Sequence, residues 1–231
     1  MNKFLYVIIC FILLVLNIIF FAYKENITTF KYNVTSVSKE ENQITEDYES
    51  SKISILFPNS KYSDLNEIII EKIDEYINTF IKGVEETNKQ TPSFPSYYYT
   101  LFITYKEYNY QNYISYVFRI ETFLMGAHPN HEMWTIVYDK EKREVITLDD
   151  LIKENKNTLD IFSKTARKNL MYDKRIIDIT MLMEGTTPEK DNFNNFVFSK
   201  DGIILFFPQY SIAPYSQGEF NTTVKYGALK N

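Results

Sequence analysis

The chain has 231 residues, with 25 basic and 30 acidic side chains that give a formal net charge of −5. Aromatic residues make up 16% of it, against only 6 glycines and 7 prolines, so the composition excludes a disordered or fibrous protein. The acidic balance argues against a nucleic-acid binder, and the single cysteine excludes a disulfide scaffold and a CxxC metal or redox site.

An apolar segment near the N-terminus predicts the location of the protein. Residues 4–22 carry no charged side chain, and as a helix they would span roughly 28 Å, close to the ~30 Å core of a bilayer. We expect a retained anchor in the cell membrane, with residues 1–3 as a cytoplasmic stub and the rest outside the cytoplasm.

Two alternatives to a retained anchor stay open. A cleaved signal sequence would make the protein secreted, although Phe20-Phe21-Ala22 places a bulky residue where cleavage needs a small one. A lipid on Cys10 is the other alternative, against which the bulky Ile9 argues.

The chain beyond the anchor divides into a polar stalk and a folded body. Residues 23–47 are polar and without sustained periodicity, apart from an edge strand expected around 28–34. Residues 52–57 alternate like a strand. An amphipathic helix should follow, with Ser63 as its N-cap and Gly83 as its stop.

Further strands and helices follow along the body. Tyrosine-rich strands are predicted over 97–106, 113–123 and 133–139, each burying one face, followed by a short strand at 145–148. A helical region over 147–171 precedes the last strands, at 193–198, 202–207 and 222–226. This order predicts an α+β fold of two closely packed small subdomains, 48–144 and 145–231, with an antiparallel sheet and helices on one face.

The two histidines lie in one short stretch and raise the question of a metal site. His128 and His131 could bind zinc together with Glu132. Pro129 prevents a regular helix there, however, and no third-ligand motif is present, so a turn histidine bonded to backbone is the preferred interpretation of His128. We expect no metal and no other cofactor.

Catalytic patterns are equally weak. Asp149 and Asp150 resemble a carboxylate pair of a glycan hydrolase, but adjacent acids at a helix start more often cap the helix. Neither a G-x-S-x-G motif nor a glycine-rich phosphate loop occurs. The sequence therefore predicts a protein that is not an enzyme.

The loop over residues 207–218 carries the most informative composition. It contains Pro208, Tyr210, Pro214 and Tyr215 in a segment too long for a tight turn. Rigid prolines beside flat, amphipathic tyrosines suit stacking on sugar rings or anchoring of a protein partner. The alternative is a structural loop whose tyrosines close the core.

Several of these segments together resemble one family. GAHPN at 126–130, ITLDDL at 146–151 and FPQYSIAPYSQG at 207–218 occur in the order of the PdaC/RsiV-like extracytoplasmic domain. KISILFP at 52–58 and INTFIKG at 77–83 resemble its N-terminal half. The resemblance covers roughly residues 48–229 and implies a PdaC-like subdomain at 48–144 and an RsiV-like subdomain at 145–231.

The resemblance implies an α+β module displayed outside the membrane. In RsiV-type anti-sigma factors it acts as a lysozyme receptor, and in PdaC-type peptidoglycan deacetylases it precedes the catalytic domain. This sequence has three residues ahead of the predicted anchor and no TFDDG-like motif, so neither a sigma-factor-binding segment nor a deacetylase domain is expected. It also has Met125 where a second glycine is usual.

The combined expectation is a membrane-anchored, non-catalytic binding module of the cell envelope. Its ligand would be a lysozyme-like protein or a peptidoglycan-type glycan, bound by Pro208, Tyr210, Pro214, Tyr215 and His128. The competing hypothesis is a cell-wall-modifying enzyme, or an accessory subunit of a peptidoglycan deacetylase, with a metal near His128. A structural subunit with a partner in the same membrane is a third possibility, for which no feature selects the partner.

Overall fold

The computed structural model describes residues 32–37, 40–48, 50–90 and 98–229. Those from Asn33 onward belong to one compact unit. The predicted anchor at 4–22 and Cys10 lie outside the described residues. Within the described part of the chain, no helix has both the length and the apolar character needed to cross a bilayer.

A seven-stranded sheet occupies the first part of the described chain. Its strands follow one another in chain order: β1 Val34–Ser36, β2 Glu41–Asp47, β3 Ser51–Pro58, β4 Tyr99–Tyr110, β5 Tyr113–Phe123, β6 Asn130–Asp139 and β7 Glu144–Val145. All neighbours are antiparallel except β3 and β4, which are parallel. A parallel pair needs a long crossover, and helix α1, Ser63–Gln90, lies in that connection.

The rest of the described residues form three helices and a smaller sheet. The helices are α2 Leu148–Glu154, α3 Thr158–Leu170 and α4 Ile179–Glu184. The smaller sheet is antiparallel, with β9 Gly202–Phe207 between β8 Phe196–Ser199 and β10 Phe220–Val224. Short 3-10 turns lie at Lys190–Asn192, Tyr215–Gln217 and Tyr226–Leu229. The predicted α+β class is confirmed.

Helix α1 is confirmed at its start but not at its end. Its apolar positions are buried as their spacing predicts, at Leu65, Ile69, Ile73, Ile77 and Phe80. The predicted stop at Gly83 is wrong, because the helix continues to Gln90. A Cβ at Gly83 would collide with the side chain of Leu124, so this glycine allows a close approach and does not end the helix.

Strand β5 has the predicted bounds, but both of its faces are buried. On one face of β5, the ring of Phe118 stacks on that of Trp134, with 4.8 Å between ring centroids. The opposite face, predicted to be exposed, holds Val117, which packs with Val197 and Phe206 of the smaller sheet. The prediction was wrong because a covering sheet that is remote in the chain leaves no trace in the local pattern of β5.

The polar segment before β3 is also more ordered than its composition predicts. Residues 41–47, assigned from the sequence to the stalk, form β2 and pair along their whole length with β3. Ile44 is the only buried residue in β2, so its stability comes mainly from backbone hydrogen bonds to β3. One apolar residue in seven gives no periodic signal, which explains the error.

The predicted helical region at 147–171 is two helices. The break lies at 155–157, where the side-chain oxygen of Asn155 accepts a hydrogen bond from the Asn157 amide at 2.8 Å. Thr158, the first residue of α3, closes the break, since its hydroxyl donates to the Asn155 carbonyl at 2.6 Å. Helix α2 begins at Leu148, so the short strand predicted over 145–148 is limited to Glu144–Val145.

Candidate functional site

The turn that carries His128 joins β5 to β6 and has an unusual backbone. Met125 has a φ of 75°, in the left-handed region that glycine adopts without cost. This is the position where a second glycine is usual in the resembling family, so the methionine occupies a conformation suited to glycine. The thioether of Met125 lies 3.7 Å from the hydroxyl of Tyr99.

The loop after β9 is held by its own contacts. Tyr210 also has a left-handed φ, 67°, and Ser211 donates a hydrogen bond to the Pro208 carbonyl. Ile212 and Ala213 are 0% and 2% exposed and fix the middle of the loop in the core. The backbone around residue 210 is therefore fixed from within.

Four rings from the turn and the loop come together, and we call them the ring cluster. They belong to His128, His131, Tyr210 and Tyr215. His128 and Tyr215 stack at 3.8 Å between centroids and an interplanar angle of 20°. The centroids of Tyr210 and His131 lie 5.4 Å and 5.7 Å from that of Tyr215, which makes Tyr215 the centre of the cluster.

Hydrogen bonds fix the orientation of these rings. His128 Nδ1 lies 2.9 Å from the Pro129 carbonyl oxygen, and because a carbonyl only accepts, Nδ1 is the donor. In the neutral ring Nε2 is then an acceptor, for the hydroxyl of Tyr210 at 3.4 Å. The Tyr215 hydroxyl donates to the same Pro129 carbonyl at 3.3 Å. The backbone hydrogen bond that the sequence favours for His128 is thus present.

A cleft of about 240 Å³ adjoins the ring cluster. Its apolar lining is Phe102, Ile120, Met133 and Pro208, and its polar lining is Thr104, Arg119, Glu121, His131, Glu132, Gln209 and Glu219. Arg119 and Glu219 form a two-pronged ion pair there, with nitrogen–oxygen distances of 2.6 Å and 2.8 Å. The hydrogen bonds that Arg119 donates to the Glu219 carboxylate raise the pKa of Arg119, so the guanidinium stays charged.

The structure brings together most of the binding residues predicted from the sequence. Tyr210, Tyr215 and His128 meet in the ring cluster, and Pro208 lines the cleft beside them. Pro214 is not part of the cleft lining and precedes the 3-10 turn, where its carbonyl accepts a hydrogen bond from the Gln217 amide at 2.9 Å.

The predicted metal candidates do not converge on one point. Glu132 is exposed and accepts a hydrogen bond from the side chain of Asn130, whereas His131 faces Glu121, with 3.8 Å between Nδ1 and Oε2. Across the described residues, no group of three His, Cys, Asp or Glu side chains could hold a metal ion.

Three cleft residues had no signal in the sequence. Arg119 and Glu219 are 100 positions apart, so neither composition nor spacing could pair them. The side-chain oxygen of Gln209 is buried without a hydrogen-bond partner among the described residues. A buried polar atom of this kind becomes visible only once the packing is known.

The carboxylate pair at the start of α2 is structural. Asp150 and Thr147 form a reciprocal capping box. The hydrogen bond from Thr147, and then that from Lys153, lowers the pKa of Asp150. Asp149 turns outward and binds Lys190 at 2.6 Å. The two carboxylates therefore serve different partners and do not face a common substrate.

Comparisons with known proteins identify sequences that are similar to this chain. Residues 149–227 match the family described as "Protein of unknown function (DUF3298)". The chain is also 32% identical over 168 residues to the peptidoglycan-N-acetylmuramic acid deacetylase PdaC of Bacillus subtilis (strain 168). That alignment covers 70% of this chain and 36% of PdaC, so the chain spans about a third of its curated relative.

Two solved structures of DUF3298 family proteins share the fold. One, from Bacteroides fragilis NCTC 9343, superposes with a TM-score of 0.57 at 17% identity, over 88% of this chain and 94% of the other. The second, from Pseudomonas aeruginosa PAO1, has a TM-score of 0.59 at 14% identity, over 86% and 91% of the two chains. The resemblance predicted from the sequence motifs is confirmed: residues 149–227 match the DUF3298 family, and 70% of the chain is similar to part of PdaC.

Proposed function

We propose that this protein is a non-catalytic binding module of the cell envelope, held in the membrane by residues 4–22 with its folded body outside the cytoplasm. Its ligand is a lysozyme-like protein or a peptidoglycan-type glycan. The observation that carries the proposal is the ring cluster, which gathers His128, Tyr210 and Tyr215 at one surface.

The ring cluster suits a ligand that presents a flat or convex face. Tyr210 is 57% exposed, while Tyr215 is held in place by the stack with His128 and the hydrogen bond to Pro129. A fixed ring beside an exposed ring supports stacking without a large loss of side-chain entropy.

The adjoining cleft limits the size of the part of the ligand that can enter it. At about 240 Å³ it is smaller than the ~300–1,000 Å³ of typical small-molecule pockets. It therefore fits one side chain or one sugar ring of a larger ligand, and the remainder would lie across the ring cluster. This arrangement is compatible with either ligand class.

Charge favours a basic partner. Residues 1–22 contain Lys3 as their only charged side chain, so the external body keeps 24 basic against 30 acidic residues, a net charge of −6. Lysozymes are commonly basic, and an acidic body accelerates their encounter by electrostatic attraction.

The similarity to PdaC supports a role at the cell wall, since that relative is a peptidoglycan-N-acetylmuramic acid deacetylase. The alternative is a cell-wall-modifying enzyme or a deacetylase accessory subunit, with a metal near His128. Both ring nitrogens of His128 already have protein partners, Pro129 and Tyr210, which favours the binding role.

The proposal is tested by retention of the full chain, purified in a mild detergent, on immobilised lysozyme and on insoluble peptidoglycan. We expect retention on one of the two and a loss in Tyr215→Ala. Retention on neither material would contradict the proposal. Unchanged retention of Tyr215→Ala would show that the ring cluster does not bind the ligand. A stoichiometric transition metal that disappears in His128→Ala would favour the enzyme alternative.

A further inference from the structure

The connection between α3 and α4 exposes several large apolar side chains that are close together in the chain. Tyr172 is 82% exposed and Ile177 is 70% exposed, the two highest values among the large apolar side chains described. Met171, Ile179 and Met183 are 46%, 52% and 43% exposed and lie within the same thirteen residues. We call residues 164–183 the apolar-basic surface.

The exposed side chains stand on a well-ordered base. Arg175 packs its guanidinium over the ring of Phe220 at 4.0 Å and binds Asp173 at 2.8 Å. It also donates to the carbonyl of Glu219 at 3.2 Å, which attaches the connection to the start of β10. The base is thus fixed while Tyr172 points outward, so this exposure is not the result of a loose loop.

The same base holds α4 against α3. Arg167 of α3 donates to the Met183 carbonyl at 2.8 Å and to the Thr186 hydroxyl at 3.1 Å. Leu182 is fully buried while Met183 beside it is exposed. Helix α4 therefore uses one face for the core and leaves Met183 on the same surface as α3.

The charge of this surface is opposite to that of the whole protein. Residues 164–183 contain five basic and two acidic side chains, whereas the complete chain has a net charge of −5. Both acids are engaged, since Asp173 binds Arg175 and Asp178 caps α4. Lys164, Lys168 and Lys174 are exposed and have no ion-pair partner among the described residues. The nearest charged residues outside this range are acidic, Asp160 before it and Glu184 after it.

Apolar side chains that protrude between unpaired lysines match the chemistry of an anionic lipid surface. A tyrosine and aliphatic side chains enter the headgroup boundary, and lysines bind the phosphates around them. A wholly polar acidic partner would pair with the lysines but would leave Ile177 and Tyr172 without an apolar environment. We propose that the apolar-basic surface docks on an anionic phospholipid membrane.

This docking goes beyond the proposed ligand binding, and each can fail without the other. The membrane contact uses Tyr172 and the three lysines, whereas the ring cluster uses Tyr215 and His128. Arg175 links the two regions, because it binds the carbonyl of Glu219, whose carboxylate binds Arg119 in the cleft. Docking would therefore hold the cleft at a fixed distance from the membrane surface.

The test places a tryptophan at the most exposed position. Full-length Tyr172→Trp is reconstituted with vesicles of phosphatidylcholine alone or mixed with phosphatidylglycerol, each containing brominated lipid as a quencher. The native Trp134 provides the background, which is measured in the unsubstituted chain. We expect blue-shifted, strongly quenched emission in the anionic vesicles, and weak quenching in neutral vesicles or at high salt. The readout is local to residue 172, so it does not depend on how residues 4–22 hold the chain.

Two controls make the result decisive. Tyr98→Trp, at a position 43% exposed and immediately before β4 of the large sheet, should show little quenching in either vesicle. Adding Lys168→Glu and Lys174→Glu to Tyr172→Trp should abolish most of the quenching while thermal unfolding stays unchanged. Equal quenching in both lipids, or quenching no stronger than at residue 98, would overturn the proposal. A blue shift in detergent that grows with protein concentration would assign the surface to a second copy of the chain and would also overturn it.

Discussion

Arg119 on β5 and Glu219, the residue before β10, join the two sheets through a two-pronged ion pair in the lining of the cleft. Each side chain is 38% exposed, so solvent weakens the attraction but does not cancel it. The same ion pair attaches to β5 the residue that ends the loop carrying Tyr210 and Tyr215. Stability and site geometry are thus connected through one interaction.

A double-mutant cycle on this ion pair should show a coupling free energy of about 1 kcal/mol, near the upper end for partly exposed pairs. The variants are Arg119→Met, Glu219→Gln and their combination, compared by urea unfolding. Arg119→Lys should recover only part of the loss, because an ammonium group cannot reproduce the two-pronged geometry. Additive effects of the two single substitutions would show that the pair does not stabilise the fold.

Tyr215 should affect ligand binding through its ring and not through its hydroxyl. We expect Tyr215→Ala to weaken binding of the retained ligand by about two- to tenfold, the range for loss of one aromatic contact. Tyr215→Phe keeps the stack on His128 and loses only the 3.3 Å hydrogen bond to Pro129, so its affinity should stay close to that of the parent chain. Titration by isothermal calorimetry distinguishes the two, and an equal loss in both variants would contradict the stacking role.

Acid should destabilise the protein partly through Asp64. The hydrogen bonds from Arg143 and Tyr138 hold the pKa of Asp64 below its ordinary value. A carboxylate with a lowered pKa in the folded state contributes stability above its unfolded pKa of about 3.9, and this contribution disappears as the pH falls further. Urea midpoints measured from pH 7 down to acid should therefore fall less steeply in Asp64→Asn than in the parent chain.

Asp149→Asn is the matched control for this pH dependence. Its carboxylate is exposed and binds only Lys190 in the described structure, whereas Asp64 binds Tyr138 of β6 and Arg143 of the turn between β6 and β7. We expect the acid response of Asp149→Asn to follow that of the parent chain. If Asp64→Asn retains the full acid response as well, the Arg143–Asp64 interaction is not a source of stability.

The two glycines near the C-terminus should respond in opposite directions to alanine. Gly218 has a φ of 75° and a ψ of −160°, a region that essentially only glycine adopts and that costs a residue with a Cβ roughly 1–3 kcal/mol. Gly227 lies in a 3-10 turn with negative φ, and neither glycine has an atom within 4 Å of an added Cβ. Gly218→Ala should lower the free energy of unfolding by about 1 kcal/mol, while Gly227→Ala should leave it unchanged or raise it slightly. An equal loss of stability in both would contradict the role of backbone strain at Gly218.

Much of the fold could be predicted from the sequence because its signals are local. The burial of Leu65 and Ile69 in α1 and the bounds of β5 follow from periodicity within one element. The end of α1 could not be predicted, since Gly83 is explained by Leu124, forty-one positions further along the chain. Strand β2 was missed because its pairing with β3 requires almost no apolar side chain.

The sequence predicted which residues form the ring cluster, but it did not predict how they are arranged. Composition alone selects Tyr210 and Tyr215, and the two histidines attract attention as the only ones in the chain. The stacking of His128 on Tyr215 depends on two connections, one from each sheet, reaching the same place. No pattern in either segment encodes that meeting, just as none encodes the Arg119–Glu219 ion pair.

The position of β1 at the edge of the large sheet has a mechanical consequence. If residues 4–22 hold the chain in the membrane while its ligand is fixed in the wall, tension enters the body at the N-terminal side of β1. That strand has three residues and pairs only with β2, so it would peel away first, followed by the seven residues of β2. The ring cluster lies beyond β5, several strands further in, and would keep its shape while the edge yields. Under tension, β1 and β2 would then unfold first. The chain between the membrane and the folded body would become longer, and the ligand would stay bound.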